Sequence, residues 1–457
     1  MTTVFQKAAT NNKYPVFGTL FDIYTMKNRF YFNKFAALIL LATLTAFAVF
    51  AQSPNLPVPR QEKLLNGLKV LMWNDAKADK VSVVIRVHSG ASFDPQNKEG
   101  VMQMLADNIF PNESVKEFFT DDLGGSLEIT INHDYIQINA TAKSEEFLTM
   151  IETLANAVSK PLIDKETTAK LRAARLEKLK ELEKNPAYVA DRAVAQKLLG
   201  TFPYGRSVAG TTESLQKIDY ADLIFAKDRF FTADNATVAV TGNIKPELVF
   251  RAVRRYFGAW AKSENRIPSS FKQPDAPQSK LFILDSPIQN KSEFRFALRG
   301  LSRSDKDFYA AQILEKILQK RFQMREGKNA FVRHESHILP GLFIFGVSDW
   351  NLGQIKKAEN TISLPGTDDY QNYFLKDAIK PEEFDRAKTE FSAQLSQTDL
   401  MNFWLDGDTF KLSPIKAESH NAQNVAIADV QRVLEKLQKE AAAMILVFAE
   451  ESPKTAN

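Results

Sequence analysis

From Leu64 onward the chain moves between two periodicities. Asn66-Gly67 predicts a tight turn into an apolar strand at 68–72, and 81–87 alternates apolar and polar side chains as a half-buried strand does. Apolar residues at helical spacing follow over 100–109, and 126–142 reads as two strand segments. Lys165–Glu183 is rich in Ala, Leu, Lys and Glu behind a capping Asp164 and predicts a long helix. A strand at 236–241 closes this stretch. Between 264 and 279 three prolines, at 268, 274 and 277, interrupt a run without apolar periodicity, which marks a linker. The order then starts again, with strands at 281–284 and 293–298, helices at 307–324 and 430–440, and a strand at 444–448. This order predicts an α+β protein of two similar tandem domains, 57–263 and 280–452, each a mostly antiparallel sheet with helices packed on one face.

Composition narrows the chemistry. With 457 residues and 44% hydrophobic content the chain can bury a large core. The net charge of +4 is the small difference between 59 basic and 55 acidic residues, and no basic tract is interleaved with aromatics, so nucleic acid is not an expected partner. The absence of cysteine removes disulfides, thiolate metal sites and a nucleophilic thiol, leaving oxygen and imidazole as the available metal ligands. No G-x-S-x-G elbow and no phosphate-binding glycine loop occurs.

Lys27, Arg29 and Lys34 precede an apolar run over 35–50, and Val49-Phe50-Ala51 ends it at a small residue. Residues 1–51 therefore read as a signal peptide, with an over-called start before Met26 or an uncleaved anchor as the alternatives. Export to the periplasm or cell envelope is the expectation, with no stable membrane span once the signal is cleaved.

Four blocks carry a family resemblance. Leu65-Asn66-Gly67-Leu68-Lys69-Val70 with Gly90 and Gly100, Pro203-Tyr204-Gly205-Arg206, Gly210-Thr211-Thr212-Glu213-Ser214-Leu215 and the stretch 231–242 follow in the order found in the pitrilysin/insulinase metallopeptidases, or inverted zincins. Pro381-Glu382-Glu383-Phe384 resembles a helix start in the second half of that family. The resemblance implies a helix carrying H-x-x-E-H, whose histidines and a downstream glutamate hold zinc while the motif glutamate activates water. Here the first histidine position is Gln103, the general-base position Ala106 and the second histidine position Asp107, while Glu183, just before Asn185-Pro186, keeps the third ligand position. An amide, a methyl group and one acid neither favour zinc nor accept a proton from water. No zinc or other cofactor is expected.

The resemblance also places an arginine and a tyrosine that grip substrate in two-subunit members. Arg325 matches the arginine, but the tyrosine position falls on Phe331, or on Val332 without a deletion, and neither side chain can donate to an oxyanion. Family substrates add as a strand to a sheet edge, which corresponds to Gly125, Ser126, Leu127 and Glu128. The expected function is a non-catalytic subunit that joins an active zinc-bearing relative as a heterodimer and helps form its peptide chamber. The alternatives are an active metallopeptidase using Asp107, Glu183 and a histidine from elsewhere, and a homodimeric peptide-binding scaffold. His334-Glu335-Ser336-His337 lies in strand context, where positions three apart face oppositely, and His88, His133 and His420 read as isolated histidines.

Overall fold

The computed structural model describes residues 57–448 except 264–270, 273, 279, 289–290, 350–356, 359–360 and 363–366. The proposed signal segment lies outside the described residues. The described residues form one compact unit that contains two large sheets.

The first sheet runs β1 (Arg60–Lys63), β2 (Lys69–Asn74), β6 (Ala236–Gly242), β3 (Lys80–Val87), β5 (Ile136–Lys143), β4 (Ser126–Ile131). Its one parallel pairing is β2 with β6; the others are antiparallel. The second sheet runs β7 (Leu281–Asp285), β13 (Ala442–Phe448), β8 (Ser292–Arg299), β10 (Leu342–Ser348), β9 (Ala330–Glu335), again with one parallel pairing, β7 with β13. The short pair β11 (Lys357–Ala358) and β12 (Thr361–Ile362) stands apart. Strand for strand the second sheet repeats the first, except that among the described residues nothing corresponds to β1. The expected duplication is thus present in the hydrogen bonding.

Local signals put the first elements where expected. Gly67, at φ +93°, lets the chain turn from β1 into β2, and its missing side chain leaves room for Asp234. Asp164 caps the Lys165–Glu183 helix by accepting from the Thr167 N–H at 2.8 Å.

Helices at Val101–Ile109, Phe147–Ser159 and Pro246–Phe257 pack their apolar faces on one side of the first sheet around Val83, Ile85, Ile138 and Val238. The sequence expectation stopped there, and the structure adds a second layer. The opposite face, with Leu71, Val84 and Ala239, is covered by Phe403, Trp404 and Leu405 of the Leu400–Thr409 helix from the second half. Reciprocally, the Pro186–Leu199 helix of the first half lays Ala190, Val194 and Leu198 on Ala297, Ile344 and Ile445 of the second sheet. The half-buried reading of 81–87 is corrected accordingly: Val83, Val84, Ile85, Arg86 and Val87 are all buried because both faces of β3 are covered.

An arginine pins each exchanged helix. Arg86 on β3 donates to Asp406 (2.7 Å), Asn402 (2.8 Å) and Gln137 (2.7 Å), and Arg295 on β8 donates to Asp191 (2.5 Å) and Glu293 (2.8 Å). Both arginines are 1% exposed, so their charges persist inside only because these acceptors surround them.

Candidate vestigial metal cleft

The Val101–Ile109 helix starts at Gly100, whose φ of +103° and contact with the Leu215 side chain leave no room for a side chain. Asp94 closes this end: its two carboxylate oxygens accept from the N–H groups of Gly100 (2.7 Å) and Met102 (2.8 Å). Burial nevertheless pushes the Asp94 carboxyl up to about 7, against those two hydrogen bonds. The helix packs against β4 and against the Lys165–Glu183 helix.

The helix turns Asp107 toward that long helix and buries Ala106 in the core. Gln103 Nε2 donates to Asp107 Oδ1 at 3.2 Å. Both oxygens of Asp107 accept from Nε and Nη2 of Arg175, a bidentate ion pair with both side chains largely buried. Glu183 is held elsewhere, accepting from Arg192 Nη1 at 3.0 Å, so the retained ligand position and Asp107 answer to different arginines. Among the described residues no three His, Cys, Asp or Glu side chains are grouped to hold a metal ion.

The other candidate residues separate into two places. Gly125 approaches the Thr141 carbonyl so closely that a Cβ would lie 1.8 Å from its oxygen. It leads into β4, one of the two edge strands of the first sheet, where Ser126 and Glu128 are exposed, Leu127 is buried and Ser126 Oγ meets Thr141 Oγ1 at 2.9 Å. Arg325 ends the Phe308–Glu326 helix and is engaged with the Tyr373 carbonyl and with Asp377 (2.9 Å), lying 4.9 Å from the Tyr373 ring centroid. Phe331 lies on β9 beneath Gly346, with the Arg295 and Arg333 guanidinium groups 4.8 and 5.3 Å from its ring centroid. The structure does not bring Arg325 or Phe331 into contact with Asp107, Arg175 or Glu183.

Two family models cover much of this framework: insulinase (peptidase family M16) over residues 69–212, and the peptidase M16 inactive domain over residues 217–391. The chain belongs to the insulinase family. A zinc protease of Rickettsia felis is 22% identical over 235 residues, covering 48% of this chain and 57% of its own length. The β subunit of the yeast mitochondrial-processing peptidase is 21% identical over 274 residues, covering 58% and 59%. The chain thus spans somewhat more than half the length of these relatives. In fold it resembles the peptidase M16 inactive domain of Pseudomonas fluorescens (TM-score 0.73, 17% identity, 87% of this chain and 99% of that one). It likewise resembles the first half or so of the periplasmic protease PqqL of Escherichia coli (TM-score 0.64, 14% identity, 86% of this chain and 48% of that one).

Membership in this family implies zinc, and the residues present do not fit it. Asp107 is already saturated by a guanidinium, and a dication beside Arg175 would meet a fixed like charge. Arg175 cannot replace the metal's chemistry, since a guanidinium has five donors, no acceptor and no accessible deprotonation. Of the chain's five histidines, none touches Asp107 or Glu183. His88 binds Thr409 and Thr237, His334 binds the Leu301 main chain, and His337 binds Asp134 at 2.7 Å. His133, read from sequence as isolated, instead contacts the Arg206 carbonyl (3.0 Å) and the rings of Tyr204 and His337.

Arg175 is the residue that the sequence reading missed. It is one of several basic side chains on a charged helix, yet Thr168, Arg175 and Leu179 follow a helical stripe, and Thr168 and Leu179 are the buried residues of that helix.

Proposed function

We propose that this chain is a non-catalytic member of the insulinase family that pairs with a zinc-bearing relative in the cell envelope and lends its cleft to binding extended peptides. The observation that carries this reading is the Asp107–Arg175 ion pair, which fills with an internal cation the place where the family puts a catalytic one. With Ala106 at the general-base position no side chain there takes a proton from water. The cleft keeps its other part: β4 is an edge strand beside the altered helix, and strand addition needs main-chain groups alone.

Several features support a subunit role and an envelope location. The relatives include a β subunit of a processing peptidase, and one fold neighbour is a periplasmic protease. Among the described residues no helix is long and apolar enough to cross a membrane. Affinity purification of the tagged chain at native expression is expected to recover a zinc-bearing family member in stoichiometric amount. Recovery of the chain without any family partner would overturn the pairing.

A further inference from the structure

The two sheets differ at one edge. In the first, β2 is shielded by β1, whose sequence Arg-Gln-Glu-Lys is polar and largely exposed, a protected edge. In the second, the equivalent strand β7 is outermost: it pairs with β13 and, among the described residues, with nothing on its other side. Its sequence Leu-Phe-Ile-Leu-Asp is apolar until the last residue, none of its side chains is fully buried, and Ile283 and the following Ile288 are 39% and 45% exposed. An unshielded apolar edge of this kind is a template for strand pairing.

A groove of about 520 Å³ is lined by Phe282 of this strand together with Lys197, Phe202, Phe271, Lys272 and Asp275. Lys197 and Lys280 place their ammonium groups 3.5 and 5.0 Å from the Phe282 ring centroid. Neither has a carboxylate within ion-pair distance among the described residues, whereas Lys272 has Asp275 at 3.8 Å. Two cations on one aromatic ring, unpaired among the described residues, favour an anionic neighbour.

We propose that the outer edge of β7 is a docking site for an extended segment of another polypeptide, in which apolar residues alternate with acidic ones, taking the place that β1 holds in the first sheet. Main-chain groups of the incoming strand pair with β7, its apolar side chains cover Ile283, and its carboxylates meet Lys197 and Lys280. This site lies on the opposite sheet from β4 and stands whether or not the cleft binds peptide.

The test uses the purified chain and a fluorescein-labelled peptide of alternating glutamate and leucine. Fluorescence anisotropy is expected to show binding that weakens about tenfold or more when lysine replaces glutamate in the peptide or when Lys197→Glu and Lys280→Glu are combined. Ile283→Lys, at an exposed position, is expected to abolish binding while leaving the melting temperature unchanged. Hydrogen exchange should slow at the β7 amides when the peptide is present. Equal binding of a peptide N-methylated at alternate residues, or unaltered β7 exchange, would overturn the proposal. So would a dimer of the chain that Ile283→Lys dissolves, since the occupant would then be a second copy.

Discussion

Asp107 carries the account at the scale of single residues. A carboxylate at this position would be costly inside the cleft without a cation, and Arg175 supplies one through two parallel hydrogen bonds. Asp107→Ala should therefore leave Arg175 without its partner and destabilise the chain by about 1–3 kcal/mol, measured by urea unfolding. Restoring the family's residues with Gln103→His, Ala106→Glu and Asp107→His should produce weak zinc binding, because Arg175 keeps its charge beside the metal. Adding Arg175→Leu should strengthen zinc binding, read by competition with a zinc-sensitive dye. Unchanged zinc affinity on removing Arg175 would mean that its charge does not oppose a metal there.

Burial makes histidines a second matter at this scale. Burial lowers His88 to about 3 and His133 and His334 to about 4, from 6.5. Their folded-state values lie below the unfolded one, so the unfolded chain binds more protons between pH 6.5 and 4. Their contribution is complete above pH 6.5 and is lost as the pH falls through 4, and for His88 through 3. Asp94, raised to about 7, acts in the opposite sense over much of the same window. The histidine effect is therefore read as a difference: His133→Gln should flatten the acid loss of stability relative to the parent chain, followed by circular dichroism at each pH.

At the scale of elements, the exchanged helices tie the halves together. The Pro186–Leu199 helix turns Arg192 back to Glu183 and Asp191 forward to Arg295 and Arg333, so Glu183 is anchored by the helix that crosses to the other sheet. Asp191→Ala would strip the buried Arg295 of an acceptor and should cost about 3–5 kcal/mol, whereas substituting an exposed ion pair such as Lys180–Glu177 should cost less than about 1 kcal/mol. Thermal unfolding of the two variants checks the contrast.

Much of this layer was legible beforehand. Alternating strands, the cap at Asp164 and the turn at Asn66-Gly67 are local devices written in a few neighbouring residues. The exchange was not, because Val81–Val87 looks the same whether its second face meets water or a helix more than three hundred residues away. The buried Arg86 within that apolar strand was the available hint. Counting from Gly100 singles out Gln103, Ala106 and Asp107 on one helix, but Arg175 became visible only when two helices were packed together.

Across the whole molecule, the framework of the insulinase family surrounds the Asp107–Arg175 ion pair. Two sheets, two exchanged helices and an open β4 edge remain. What is altered is concentrated in one turn of one helix and the arginine facing it. The most direct measurement is metal content by mass spectrometry together with peptide cleavage, made on the purified chain alone after dialysis against zinc. Neither stoichiometric zinc nor cleavage is expected. A tightly retained zinc ion with cleavage abolished by Glu183→Ala would contradict this expectation.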